Sequence, residues 1–422
     1  MRIGVIIGRI GGIDGVALET EKWITVLERL GHEVHILTGL LEREMPRVTL
    51  VPSMSFHHPR TVTEQNNAFF IQEVEEDVFR EQFEEDARII EQGIREWVRK
   101  EGIEFLISEN ASALPCHLAM GLAVYNVLES EGIPALSHDH DFCWERGGRY
   151  SSRYGFVQEV ISRCFPVNLP NLRHAVINSA AGETLDKRFG IPSVVVPNVM
   201  DFNRPFAVRD DYNRKIRQIP GIGEDQILLF QITRIVRRKG IETAIDLVHR
   251  LQDERFALVI TGCAGDDENN KYFGELQQQV RDLRLEEQVH FAHPWFRNER
   301  AVNEDGMPVF SLEDAWAMAD ATTYFSTYEG FGNAFVEAVL ARVPVFVNNY
   351  EPVYWPDIGS LGFQTVMIDN GQLTDEAVEE IRRIAVDRDR SERIAGHNFE
   401  LGRRHFSYEV LQEKLQDLVK IC

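Results

Sequence analysis

The sequence predicts an α/β chain built from two doubly wound parallel sheets, and three observations carry that prediction. Short apolar, β-branched runs alternate with amphipathic stretches, as in buried parallel strands joined by crossover helices. The alternation breaks once, over residues 197–220, where prolines, asparagines and mixed charges show no period and read as a linker. At 422 residues, 44% of them hydrophobic, the chain is long enough for two cores rather than one.

Taken in order, residues 2–7 read as a buried strand and residues 8–15 as a glycine-containing loop. A helix over 16–30, closed by Gly31, and a strand over 32–38 follow, the opening of a doubly wound sheet. Residues 64–100 place Phe83, Ile90, Ile94 and Trp97 at helical spacing on an acidic background, which predicts one or two amphipathic helices with a solvated face. Strands are expected at 105–108, 135–138, 175–178 and 193–196. Beyond the linker the pattern predicts strands at 227–232, 256–261, 289–292, 321–325 and 343–348. It also predicts helices at 241–251 and 312–319, a polar loop at 262–270 and a mainly helical stretch at 374–419. The expected domains are 1–200 and 201–395, with a C-terminal helix in 396–422 packing back on the first. Two such halves imply a cleft, with a ligand at the carboxyl ends of the strands.

The net charge of -22 argues against a broad nucleic-acid footprint and against adhesion to anionic membranes, while leaving room for a small basic pocket. Cys116, Cys143, Cys164, Cys263 and Cys422 are widely spaced with no C-x-x-C. Neither a disulfide framework nor a zinc site is expected, and a reducing, cytoplasmic compartment fits. The start of the chain lacks the apolar core and cleavage site of a signal peptide. Residues 110–128 carry no Asp, Glu, Lys or Arg, but Pro115, His117 and Asn126 make them read as a buried loop and helix rather than a membrane span.

Residues 326–344, STYEGFGNAFVEAVLARVP, hold the strongest chemical signal. A strand ends near Phe325, Gly330 and Gly332 form a tight loop, and a helix begins near Asn333. The positive end of that helix suits a phosphate or sugar hydroxyls. Glu329 and Glu337 offer carboxylates that accept hydrogen bonds from hydroxyls. On composition alone an ordinary capped turn is an equal reading. In ITRIVRRKG, Arg234 and Lys239 together suit a diphosphate leaving group and do the work of a divalent metal. A solvated basic loop is the competing reading, and Arg237 and Arg238 read as bystanders. The loop with Gly11 and Gly12 lacks the G-x-G-x-x-G order of a dinucleotide fingerprint.

Residues 135–154, ALSHDHDFCWERGGRYSSRY, crowd functional groups together. Asp139-His140-Asp141 is formally a D-x-D that would chelate a metal, a minority reading beside the Arg234 and Lys239 pair. Trp144 offers a ring for stacking on a sugar, and Arg146, Arg149 and Arg153 offer guanidinium forks. They predict a pocket for an anionic or phosphorylated acceptor; a surface helix with scattered arginines is the alternative.

The Glu329 segment resembles the signature of the family-four retaining glycosyltransferases, which have the GT-B fold. The spacing of Arg234 and Lys239 resembles that family's R-x4-K motif, and its motifs follow in the family's order over most of the chain. The resemblance places Glu329 by the donor sugar and Glu337 on the ribose hydroxyls. It places Gly330, Phe331, Gly332 and Asn333 against sugar and diphosphate, Arg234 and Lys239 on the donor phosphates, and Gly12 at a backbone approach to the diphosphate. The family's His-Asp falls on His140-Asp141, or on His138-Asp139 in the other register. Residues 197–201, PNVMD, resemble a hinge-proximal P-N-G-V-D with Val199 in place of Gly, and Arg342 stands where the family often has Gly.

What the resemblance implies is a retaining hexosyltransferase with Glu329, His140, Arg234 and Lys239 as its catalytic groups. Donor binding falls mainly to the C-terminal domain, and acceptor binding to Asp141, Trp144, Arg146 and Arg149. Retention follows a front-face route with an oxocarbenium-like transition state and no protein nucleophile, and closure about the linker excludes water. GDP-mannose and UDP-glucose are the leading donors, the acceptor is a small molecule, and no cofactor or essential divalent metal is expected. The Arg-rich segment brings enzymes of the mannosylglucosyl-phosphoglycerate synthase type into consideration, although no residue reads phosphoglycerate uniquely. A GT-B sugar-nucleotide epimerase and a non-catalytic sugar-nucleotide binder are the alternatives.

Overall fold

The computed structural model describes residues 1–420 apart from positions 266 and 305. It divides into two compact units, Met1–Val199 with Tyr408–Cys422, and Met200–Ser407. The first boundary falls between Val199 and Met200, inside the stretch 197–220 that reads as a linker. The second differs from the expected 396: Arg388–Phe406 is one unbroken helix of the second unit, and the following helix, Tyr408–Leu418, belongs to the first. Leu411, Leu415 and Leu418 of that helix enter the first unit's core beside Trp23 and Val26, an apolar face that the charge-rich preceding helix lacks.

The first unit holds β1 (Arg2–Ile10), β2 (Glu33–Leu41), β3 (Val48–Leu50), β4 (Phe105–Glu109), β5 (Ala135–Asp139), β6 (Leu172–Val176) and β7 (Ser193–Val195). They form one sheet in the order β3-β2-β1-β4-β5-β6-β7, every pairing parallel. Both faces are covered, so its inner strands are buried almost throughout, while the edge strands β3 and β7 are partly exposed. The strand order reverses between β1 and β4, which makes the carboxyl ends of β1, β4 and β5 the place for a ligand. The acidic stretch expected as one or two helices breaks into Pro59–Gln65, a π-turn at Asn66–Phe70 and the long helix Glu76–Glu101.

The second unit carries β8 (Ile227–Gln231), β9 (Phe256–Ile260), β10 (Val289–Phe291), β11 (Phe296–Arg297), β12 (Ala301–Val302), β13 (Pro308–Ser311), β14 (Ala321–Tyr324), β15 (Val345–Asn348) and β16 (Val366–Ile368). Its main sheet is parallel, in the order β10-β9-β8-β14-β15-β16, and reverses between β8 and β14. A small sheet, β11-β13-β12, stands apart from it and has no counterpart in the sequence-based expectation. The expected polar loop at 262–270 is shorter than thought, because a helix begins at Asp267. No helix among the described residues is long and apolar enough to cross a membrane, and residues 110–128 form a loop and the start of the buried helix Leu118–Glu131.

Candidate active site

In the second unit the loops after β8 and β14 meet beside the reversal point. Gly240 ends the β8 loop with φ +60, and a Cβ there would lie 2.1 Å from the Phe325 carbonyl oxygen, so only glycine fits. Thr327 N donates to Arg238 O at 2.8 Å, and the Gln231 amide donates to Lys239 O at 3.0 Å, tying both loops to the sheet. This delivers Lys239 Nζ onto Glu329 Oε1, while Arg238 donates to Glu329 Oε2 and to Tyr328 O, both at 2.9 Å. Glu329 is 9% exposed. Burial alone would raise its pKa, but Lys239 and Arg238 outweigh burial and hold it below the usual carboxylate range. Lys239 is itself pulled down by burial, against the support of Glu329. The carboxylate is ionised, because two cations contact it. Arg238 is therefore no bystander. Its neighbour Arg237 is one: it pairs with Glu275 at 2.6 Å. Arg234 is exposed and makes no ion pair with any described residue.

The helix Asn333–Leu340 begins at Gly332, whose φ is +138 and where a Cβ would lie 2.2 Å from Tyr350 Oη. Its N-cap, Gly332, has no side chain to cap the first turn. Gly330 and Asn333 flank this turn, and Glu337 is half-buried one turn in. The Phe331 ring is buried edge-on against Phe406 at 5.5 Å, and its carbonyl accepts from Tyr350 Oη at 2.9 Å. Arg342 has φ 57, the left-handed conformation that glycine takes most easily, and its guanidinium stacks over Phe399.

In the first unit, Glu109 ends β4 and is the register partner of His138 in β5. Glu109 Oε2 lies 2.9 Å from His138 Nδ1 and 3.8 Å from His140 Nε2. Trp23 stacks on His138 with ring centroids 3.8 Å apart, and the two imidazoles are 4.3 Å apart. Asn110 Oδ1 accepts from the backbone N of His140 at 3.0 Å and of Asp141 at 3.3 Å. His138 is enclosed within the strand; His140 stands just past its carboxyl end. Glu109, His138 and His140 offer metal-ligating atoms within 4.8 Å of one another. The D-x-D reading fails: Asp139 turns away and is satisfied by Ser137 Oγ at 2.6 Å and His174 Nδ1 at 2.8 Å.

The remaining expected residues separate. Asp141 is bound to Arg146 as an ion pair. Trp144 does not present an open ring: it is stacked on Phe142 at 4.4 Å, tilted against Phe189 at 5.0 Å, and covered by Arg188. Arg149 is exposed, has no carboxylate partner among the described residues, and is held over Phe70 and Tyr150 at 5.6 and 5.8 Å. Gln72 ties this segment to the π-turn by accepting from Arg153 N at 2.6 Å and donating to Phe69 O at 3.2 Å. Gly12 lies in the loop after β1, where a Cβ would meet the Glu42 carboxylate. Sequence reasoning missed Glu109, Asn110, Trp23 and Arg238; a carboxylate ending a buried strand was the one signal available for Glu109.

Residues 213–398 match the family model described as glycosyl transferases group 1. Over 98% of its length the chain is 33% identical to a mannosylglucosylglycerate synthase of Thermotoga maritima, covering 99% of that protein. The chain belongs to the group 1 glycosyltransferases. A mannosylglucosylglycerate synthase of Petrotoga mobilis is 31% identical over 87% of this glycosyltransferase and 86% of its own length. The fold is GT-B. Sucrose-phosphate synthase from Thermosynechococcus elongatus superposes with a TM-score of 0.65 at 14% identity, covering 99% of this chain and 98% of its own. WaaG, a glycosyltransferase involved in lipopolysaccharide biosynthesis, does so with a TM-score of 0.64 at 15% identity, covering 99% of each chain.

Proposed function

We propose that this glycosyltransferase moves a mannosyl group from GDP-mannose to a small glucoside bearing a carboxylate, of the glucosylglycerate kind, with retention of anomeric configuration. The observation that carries the reading is the buried Glu329 held by Lys239 and Arg238, with Arg234 on the same loop after β8 making no ion pair with any described residue. A carboxylate fixed by two cations is pre-organised to accept hydrogen bonds from donor hydroxyls. The nearby cations then meet the negative charge that builds on the departing diphosphate. Glu337 and the start of the helix Asn333–Leu340 take the ribose and phosphates. No protein nucleophile is needed: His140 and Asp141 hold the reacting sugars while the donor's own leaving group accepts the acceptor proton.

The acceptor's charge falls to Arg149, whose guanidinium is presented on aromatic rings and has no competing carboxylate among the described residues. The names of the Thermotoga and Petrotoga relatives support mannose and a glucosylglycerate acceptor. The test is a matrix of GDP-mannose, GDP-glucose and UDP-glucose against glucosylglycerate, its phosphorylated form and neutral glucosylglycerol, with proton NMR of the product. Mannosyl transfer to glucosylglycerate with the donor's configuration is expected. Donor turnover that ignores the acceptor, or equal use of the neutral glucoside, sinks the reading.

A further inference from the structure

We propose that Glu109 is a positioning residue for His140: its carboxylate, hydrogen-bonded to His138 at 2.9 Å and 3.8 Å from His140 Nε2, holds the His140 imidazole in place as an ion-pair partner. The inference rests on the reading that His140 faces the reacting sugars.

Three features of the fold point this way. Glu109 is 3% exposed, and among the described residues its only charged partners are the imidazoles of His138 and His140. A buried carboxylate answered only by imidazoles is a poor source of stability, and an apolar residue of similar size serves a core better. The backbone is arranged to the same end. Asn110, with φ 55, turns its side chain to hold the amides of both His140 and Asp141, so the dipeptide ending β4 locates the backbone and the side chain that follow β5. The third feature is rigidity on the far side: Trp23 stacks on His138, and His138 bonds Glu109, so the carboxylate has one place to stand. Carboxylates that hold an imidazole in place act this way in many sites.

The electrostatics agree. Burial disfavours the Glu109 carboxylate, yet the adjacent imidazoles hold its pKa down to about 2. Burial also works against a charged His140, and Glu109, Glu19 and Asp141 raise it nonetheless. Glu109 Oε1, His138 Nε2 and His140 Nε2 are buried with no hydrogen-bond partner, as expected of a set poised toward another group.

The experiment compares E109Q, H140A and the double variant in the full-length enzyme, with melting temperatures to verify folding. In nitrogen-resolved imidazole spectra His140 should titrate at a higher pH in the wild type than in E109Q, because the carboxylate supports the charged ring. In E109Q, kcat should fall about 10- to 100-fold with both KM values nearly unchanged. Adding E109Q to H140A should cost nothing more, because the two act as one unit. An additive double variant, or a folded E109Q with wild-type kcat, overturns the proposal. So does one equivalent of bound divalent cation that E109Q loses, which would assign the set to a metal instead. Full activity in H140A would instead defeat the reading of His140 on which the inference rests.

Discussion

Two carboxylates stand near corresponding places in the two units, and their partners differ. Glu329 follows β14 and is answered by Lys239 and Arg238, an ammonium and a guanidinium. Glu109 ends β4 and is answered by His138 and His140, whose charge depends on a proton. The same strand-end geometry therefore serves two purposes. One site holds a fixed charge pattern suited to a leaving diphosphate; the other holds a group whose orientation and proton can be set by its neighbours.

The comparison breaks first at Glu329. E329Q should lower kcat/KM on the order of 10³-fold, since it removes a pre-organised acceptor and leaves two cations without their anion. Steady-state kinetics with GDP-mannose measure this, and a loss below tenfold would contradict the assigned role. R238A comes next, at about tenfold in kcat/KM, with R237A within twofold as the control, because Arg237 serves Glu275 instead. In acceptor kinetics, R149A should raise the acceptor KM about tenfold, while R146A should change it less than threefold, its guanidinium being occupied by Asp141.

The smallest effect is on stability, and its sign differs between the sites. Glu329 has a folded pKa below its unfolded value of 4.5, so its contribution is present above that pH and is lost as the pH falls through the folded pKa. The melting-temperature gap between wild type and E329Q should therefore narrow in acid. His140 has a folded pKa above 6.5, so its contribution is fully present below that pH and is lost as the pH rises through the folded pKa. The gap between wild type and H140A should narrow on the alkaline side. A parallel pH dependence for both variants would erase the distinction.

Much of the fold was legible because alternation of buried strands and amphipathic helices is a local pattern. The edges were not. The π-turn at Asn66–Phe70 and the small sheet of β11, β12 and β13 depend on contacts made by distant segments, and short strands carry little periodicity. Among the candidate site residues, Arg234, Lys239 and Glu329 were conspicuous as charges in loops after strands. Trp144 misled because an aromatic ring suits a sugar or a core equally, and here Phe142 and Phe189 claim it. Arg342 shows the reverse: a departure from glycine that the chain absorbs by placing arginine in a left-handed conformation and stacking it on Phe399.

The sequence by itself determined two parallel α/β halves, a break near Val199, and loops rich in the groups that sugars and diphosphates need. These follow from properties of neighbouring residues: period, turn chemistry and charge. Only the tertiary structure decided which charges meet. Arg237 and Arg238 are adjacent in the chain, yet one pairs with Glu275 and the other with Glu329. Glu109 and His138 are far apart in the chain, yet β4 and β5 make them register partners. The reason is that the strength of a charge pair depends on separation and burial in space, and strand register and loop ties set both.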